Sequence, residues 1–307
     1  MKQNTQLAIA LPTYNRAEYL DLCLTVNLPM LKQWAIPLFI SDNGSTDHTR
    51  EVVEKHSLEY PFIHYYRNEV TIGPDENFEK VLCYPQTEYI WLLGDTYRLP
   101  SEEAIAVLLQ SVMHESFDAF IFNVAGRASD IKEQVYTDQS KLLSDIGWHM
   151  TCLSSLVYSR HLLDNADFRR YHDTNFMQLG IILEYIANKP FRINWFPHYS
   201  VTGLAIAGAK KQSWEALTFD IWTKRWANFI FSLPPAYSLD SKLKCIMDHG
   251  LKSEVFTFKA LTRLRKKNIL NLAAYHQYSR YFPFTIAIPS SLLRLIAFLP
   301  GWVCRIF

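Results

Sequence analysis

The chain has 307 residues, of which 49% are apolar and 14% aromatic. That content supports a sizeable core and excludes intrinsic disorder, and the length fits one large or two modest domains. A net charge of +1 excludes a general nucleic-acid binder, which usually has a basic domain.

The first third alternates. An apolar run at 7–11 reads as a buried strand, and a helix-like segment runs from Glu18 to about Met30. Residues 37–41 read as a second strand, and 45–56 as a helix with Ser45 at its N-cap. A third strand spans 62–66, and a helix opened by proline spans 74–83. Residues 88–93 form a fourth strand, 101–113 a helix capped by Ser101, and 117–122 a fifth strand. Strands alternating with helices of this length predict βαβ units and a mostly parallel sheet. Such sheets place ligands at the carboxyl ends of their strands. The loops after Leu11, Ser41, Tyr66 and Leu93 are therefore the ones to inspect. Further on, 132–137 and 192–196 read as strands and 176–187 as an apolar helix; from about Trp214 the pattern is helical and aromatic.

Cys23, Cys83, Cys152, Cys245 and Cys304 are scattered, with no CxxC pair and no His/Cys cluster. They predict reduced thiols in a cytosolic protein rather than a disulfide framework or a zinc site. The run at 7–11 is too short for a signal peptide. No uncharged apolar stretch reaches the ~18 residues that span a bilayer; the longest, near the C-terminus, is broken by Pro289, Arg294 and Pro300.

Each of the four loops carries chemistry. Pro12-Thr13-Tyr14-Asn15-Arg16 offers a ring and a cation beyond the first strand. In Ser41-Asp42-Asn43-Gly44-Ser45-Thr46-Asp47, Asp42 can accept from a base N–H or a ribose hydroxyl. A helix N-terminus beside it suits phosphate, and the same residue types also build Asx-turns and caps. Arg67-Asn68, with Gly73 and Asn77, forms a third loop and lacks the glycine patterns of a Rossmann site or P-loop. Gly94-Asp95-Thr96 puts a carboxylate at the fourth strand end, where it can hold a divalent cation against a diphosphate.

In this order and spacing the four loops resemble those of the family 2 glycosyltransferases, over about residues 5–125. The resemblance implies an α/β GT-A fold, Rossmann-like, its mostly parallel central sheet flanked by helices, with a C-terminal helical extension. The glycosyltransferase domain would span 1–210, with a nucleotide-binding half at 5–125 and an acceptor-side half at 126–210. A basic, aromatic helical region would span 211–307. By that similarity Pro12, Thr13, Tyr14 and Arg16 line the base pocket and Asp42, with Asn43, receives the base. Asn68, Gly73 and Asn77 lie near ribose and diphosphate, and Gly94 and Asp95 at the diphosphate. The donor would be a nucleotide-sugar, UDP-linked first among them.

The chain departs from the family's metal motif, Asp-x-Asp. Here the stretch is Gly94-Asp95-Thr96-Tyr97, with Tyr97 where a carboxylate is expected. A leaving diphosphate needs a metal, Arg/Lys or helix dipoles to neutralise its charge. Three arrangements are open: Asp95 holds Mn²⁺ or Mg²⁺ with a further ligand such as His198; Arg98, Lys210 or Lys211 replaces the metal; or activity is impaired. The reading taken is a nucleotide-sugar site with reduced or altered metal dependence.

Inverting transfer, which the resemblance implies, needs a carboxylate to take the acceptor's proton. Asp173, before the apolar helix, fits the family's position for that base; the alternative is a cap on that helix. Asp138, Asp145 and Glu184 are the reserves. Trp148, His149 and the stretch 151–155 resemble the acceptor-facing segment of related transferases.

The charge is unevenly shared along the chain. Residues 240–307 hold 11 Lys and Arg against 3 Asp and Glu, while the first 239 hold 20 against 27. Cations beside aromatic and aliphatic helices suit an anionic lipid surface. The expectation is a cytoplasmic enzyme, peripheral on the inner face of the cell membrane, extending a lipid-diphosphate-linked saccharide of O-antigen or capsule. The competing class is an impaired GT-A-derived binding or scaffold protein. A sugar-phosphate nucleotidyltransferase would need a glycine-rich loop after the first strand, and 12–16 is not one.

Overall fold

The computed structural model describes residues 2–208 and 214–300. They divide into two compact units. The first holds the residues through Thr137, then Met150–Asp173, then those from Met177 to the end of the first described stretch. The second holds Asp138–His149, Thr174–Phe176 and the described residues from Trp214 onward.

In the first unit the chain runs β1 (Leu7–Thr13), α1 (Ala17–Gln33), β2 (Leu38–Asp42), α2 (Thr49–Ser57), β3 (Ile63–Arg67), α3 (Pro74–Cys83), β4 (Tyr89–Leu92), β5 (Tyr97–Arg98), α4 (Glu102–His114), β6 (Ala119–Val124) and β7 (Gln134–Tyr136). After the short α5 (Gln139–Leu142) of the second unit come β8 (Leu156–Ser159), α6 (Arg160–Asp164), α7 (Met177–Tyr185) and β9 (Ile193–Gly203). The sheet order is β3-β2-β1-β4-β8-β6-β9-β5, with β7 also on β9. β3, β2, β1 and β4 pair in parallel. β8 enters antiparallel between β4 and β6, so β6 runs with β4 and ends at the same edge.

β1 and β2 are buried on both faces, which is why they read as continuous apolar runs rather than alternating ones. Their side chains join those of α1, α4 and β6 in one core. α1 runs past Pro29 to Gln33, beyond the expected end near Met30. Leu28, Met30 and Leu31 are buried there, and that packing outweighs the hydrogen bond that proline removes.

Three expectations need correction. Ser45 does not cap α2, which starts at Thr49; its hydroxyl accepts from the Asn15 N–H instead, at 2.9 Å. The strand expected at 192–196 continues through Pro197 to Gly203. Proline is tolerated because the register slips there: Pro197, His198 and Tyr199 have no backbone partner on β6 between Phe196 and Ser200, and Asn123 Nδ2 donates to the Pro197 carbonyl at 2.9 Å. β5 and β8 were not expected.

The second unit is helical: α5, then α8 (Trp226–Ser232), α9 (Leu239–Lys252), α10 (Phe258–Lys266), α11 (Leu272–Tyr278), α12 (Phe282–Thr285) and α13 (Ser290–Phe298). Phe219, Phe256, Leu261, Leu264, Phe282 and Leu293 centre its core. Trp148 and His149 are fully buried within this unit. No described helix is long and apolar enough to cross a membrane.

Candidate functional site

The parallel register brings the strand ends together. Thr13 ends β1 opposite Asp42, and Arg67 ends β3 opposite Asp42 on its other side. Asp42 is 1% exposed. Its Oδ1 accepts the Ser45 N–H at 2.8 Å, its Oδ2 accepts the Tyr65 hydroxyl at 2.6 Å, and Arg67 Nε lies 3.6 Å from Oδ2. Burial, and then the bond to Asp42, push the Tyr65 hydroxyl pKa upward. Pro12 is buried within β1, opposite Ser41, while Tyr14 is exposed just beyond the strand. Asp47 ties the first two loops together: its Oδ2 accepts the first N–H of α1, from Ala17, at 2.9 Å.

The three asparagines are buried and hydrogen-bonded to one another. Asn68 Nδ2 donates to Asn43 Oδ1 at 3.0 Å and to Asn77 Oδ1 at 3.1 Å. Asn77 Oδ1 also accepts the Ser41 hydroxyl, and Asn43 Nδ2 donates to the Ile72 carbonyl. Lys80 donates to Asn68 Oδ1 at 2.9 Å. Together they fix the loops after β2 and β3 and the start of α3. Gly44, at φ +77, adopts a conformation that suits glycine, and a Cβ there would stand 3.3 Å from the Thr71 nitrogen. Gly73 caps α3, its N–H donating to Glu76.

Asp95 sits beyond β4, buried. Its Oδ2 accepts the Thr13 hydroxyl at 2.9 Å, and its Oδ1 meets Arg16 Nη1 at 3.1 Å. Burial raises its carboxyl above the ordinary 3.8, against the pull of Arg16 and Thr13. Burial, with Asp95 nearby, pushes the Cys23 thiol up to about 12. α1 holds the following segment through the buried Asn27, whose Nδ2 donates to the Tyr97 carbonyl at 3.1 Å and whose Oδ1 accepts the Leu99 N–H at 2.9 Å. The stretch 151–155 lies against Gly94: Ser154 Oγ accepts the Gly94 N–H at 3.0 Å. The Tyr97 side chain lies beside Cys152 and the charge of Arg127; Cys152, then burial, raise its hydroxyl pKa. Burial in turn lowers the pKa of Arg127.

Among the described residues no three His, Cys, Asp or Glu side chains form a group that could hold a metal ion. His198 is exposed in the β9 bulge, and Arg98 is exposed on β5. Lys210 and Lys211 lie outside the described residues. A cleft of about 920 Å³ opens at the opposite edge of the sheet, near Tyr89, Phe117, Arg160 and Arg192. Arg160 pairs there with Asp164 and Arg192 with Glu115, and none of the loop residues above line it.

Asp173 is exposed in a turn, at φ +61, a conformation few non-glycine residues adopt. His172 ties that turn to α3 through Glu79, 2.8 Å away. Between that turn and Met177, where α7 starts, the Thr174 hydroxyl accepts the Phe176 N–H, at 3.0 Å. The reserves serve structure: Asp138 caps α5, Asp145 pairs with Lys141, and Glu184 pairs with Arg170 and the Tyr171 hydroxyl.

Sequence reading missed Arg127 and Asn27. Arg127 had a usable signal: it is a cation three residues past β6, which ends at the same edge as β4.

A mixed sheet whose parallel half carries four polar loops on one edge is the GT-A glycosyltransferase architecture. The family model described as glycosyl transferase family 2 matches residues 8–172, more than half of the chain, and the chain belongs to that family. It is 27% identical over 234 residues to abequosyltransferase RfbV of Salmonella typhimurium LT2, covering 68% of each. Its fold resembles S. aureus TarS 1–349 in complex with UDP-GlcNAc, at TM-score 0.63 and 13% identity over 95% of this chain and 87% of that one. It also resembles the mannosyltransferase PcManGT of Pyrobaculum calidifontis in complex with GDP-Man and Mn²⁺, at TM-score 0.56 and 15% identity over 97% and 86%.

Proposed function

We propose that this glycosyltransferase moves a sugar from a nucleotide-sugar to a saccharide carried on a lipid diphosphate, in building O-antigen, capsule or a similar bacterial polymer. The carrying observation is the row of Thr13, Asp42 and Arg67 at three adjacent strand ends, with Arg16 and Asp95 beside Thr13. The base would lie over the loops after β1 and β2, with Asp42 as acceptor. Asn43, Asn68 and Asn77 would hold those loops in shape rather than touch the ligand. Asp173 would take the acceptor hydroxyl's proton as that oxygen attacks the anomeric carbon; the bond to the diphosphate breaks and the configuration inverts. RfbV, named for transfer of abequose, supports a surface-saccharide product. TarS and PcManGT bind donors with different bases, so the donor is not fixed by likeness.

The described second unit offers a surface suited to the inner face of the membrane. Leu292, Leu295 and Phe298 recur at helical spacing on α13 and are exposed, with Arg294 between them. An enzyme held there would meet an acceptor that cannot leave the bilayer.

The test is calorimetric titration with UDP, GDP, CDP and dTDP. One of them should bind, and Asp42→Asn, which keeps the shape and removes the charge, should weaken it about tenfold. No binding by any of the four ends this reading. A non-catalytic binding module is the second reading, favoured by the missing second carboxylate. Donor hydrolysis or transfer that is lost on Asp95→Ala rejects it.

A further inference from the structure

A diphosphate leaving a sugar develops negative charge that cations or fixed N–H donors must stabilise. Mn²⁺ and Mg²⁺ do this when several oxygens hold them. Where the family's metal motif falls, the described residues offer such an ion one carboxylate, Asp95, and each of its oxygens already has a partner in Thr13 or Arg16. The second carboxylate's position holds Tyr97, whose side chain turns to Cys152 beside Arg127. The donor set does not fit a divalent ion.

It does keep the same charge balance. Two carboxylates with a divalent cation sum to zero, and so do one carboxylate and one guanidinium. Arg16 stands directly before α1, in the loop beyond the carboxyl end of β1, and 29% of its side chain is accessible. Its partner Asp95 is anchored in turn by Thr13, so the guanidinium is held rather than trailing in solvent. A planar guanidinium matches phosphate oxygens in a way a single ammonium does not.

We propose that Arg16 takes the metal's place: oriented by Asp95, it binds the diphosphate of the nucleotide-sugar and stabilises it as it leaves, so transfer needs no divalent cation. Asp95 is then a positioning residue for Arg16 rather than a metal ligand. This rests on the nucleotide-sugar reading above.

The experiment titrates metal-stripped protein with the nucleoside diphosphate selected by the four-way screen, and with its nucleoside alone. Both runs are made in EDTA and then in Mn²⁺. The diphosphate should bind as tightly in EDTA as in Mn²⁺, and donor turnover should persist in EDTA. Arg16→Gln should weaken the diphosphate about ten- to a hundredfold and leave the nucleoside unchanged, with Arg16→Lys recovering part of the loss. Binding or turnover that appears only with Mn²⁺ overturns the proposal while keeping the donor reading, and so does unchanged affinity in Arg16→Gln. Absence of binding under every condition overturns both. The comparison of EDTA with Mn²⁺ on the unaltered chain needs no variant to fold.

Discussion

Burial disfavours the charged form of Asp95. Its folded pKa lies above the unfolded value near 3.8, so the stability tied to its protonated form is complete below that value and is lost as pH rises through the folded pKa. Asp95→Asn removes this loss. The amide fits the same partners: its oxygen can accept from Arg16 and its nitrogen can donate to the Thr13 hydroxyl. The variant should therefore melt higher than the parent at neutral pH, and the difference should close as pH falls through the Asp95 pKa; a melting curve at several pH values checks it. Transfer should meanwhile drop about tenfold or more, because a neutral partner holds Arg16 less firmly at the diphosphate. A higher melting point with lower activity is the trade expected of a site residue. At this scale the sequence exposes which loops matter but not how each residue is used. Asp42, Asn43, Asn68 and Asn77 could each be read as ligand contacts. Only the register shows three of them bonded to one another, because those bonds join residues 9 and 25 positions apart.

Among elements, α7 and the turn before it govern the proposed base. A Cβ on Gly180 would stand 2.5 Å from Cγ of Tyr171, whose ring is buried and whose hydroxyl donates to Glu184. The ring is not a loose end that can swing aside. Gly180→Ala should cost about 1–3 kcal/mol, seen as a lower denaturant midpoint. It should also displace the turn carrying Asp173, so transfer should fall while nucleoside diphosphate affinity stays. Loss of both together would place Asp173 outside the acceptor chemistry. The elements themselves were legible where the chain repeats strand and helix, through 122. They were not legible where pairing is set from a distance. β8 has four buried residues, Leu156–Ser159, and follows short 3-10 turns, so it shows no alternation. β5 is two residues long and exists because Tyr97 and Arg98 meet Gly203 and Thr202 on β9.

The charge split was plain in the whole molecule's sequence, but the surface it makes was not. Lys244 and Lys252 both pair with Asp248, and Arg263 and Lys267 share Glu215. Lys242 is buried and donates to the Leu233 carbonyl. Lys259, Lys266, Arg280 and Arg294 are exposed and have no ion pair among the described residues. The cationic surface is thus smaller than the count of 11 basic residues suggests. If the second unit meets anionic lipid, attraction by these four should add about 1 kcal/mol each, and the apolar face of α13 should supply the rest. Co-sedimentation with vesicles separates the two contributions. The chain should pellet with phosphatidylglycerol and not with phosphatidylcholine. Raising salt from about 0.1 M to 1 M, which shortens the screening length from ~10 Å to ~3 Å, should release most of it. Leu295→Glu should weaken binding even at low salt, because it places an acid on the inserting face. Binding to neutral vesicles that is indifferent to salt would leave α13 as the only anchor, and no binding to either would remove the membrane from the reading of this chain.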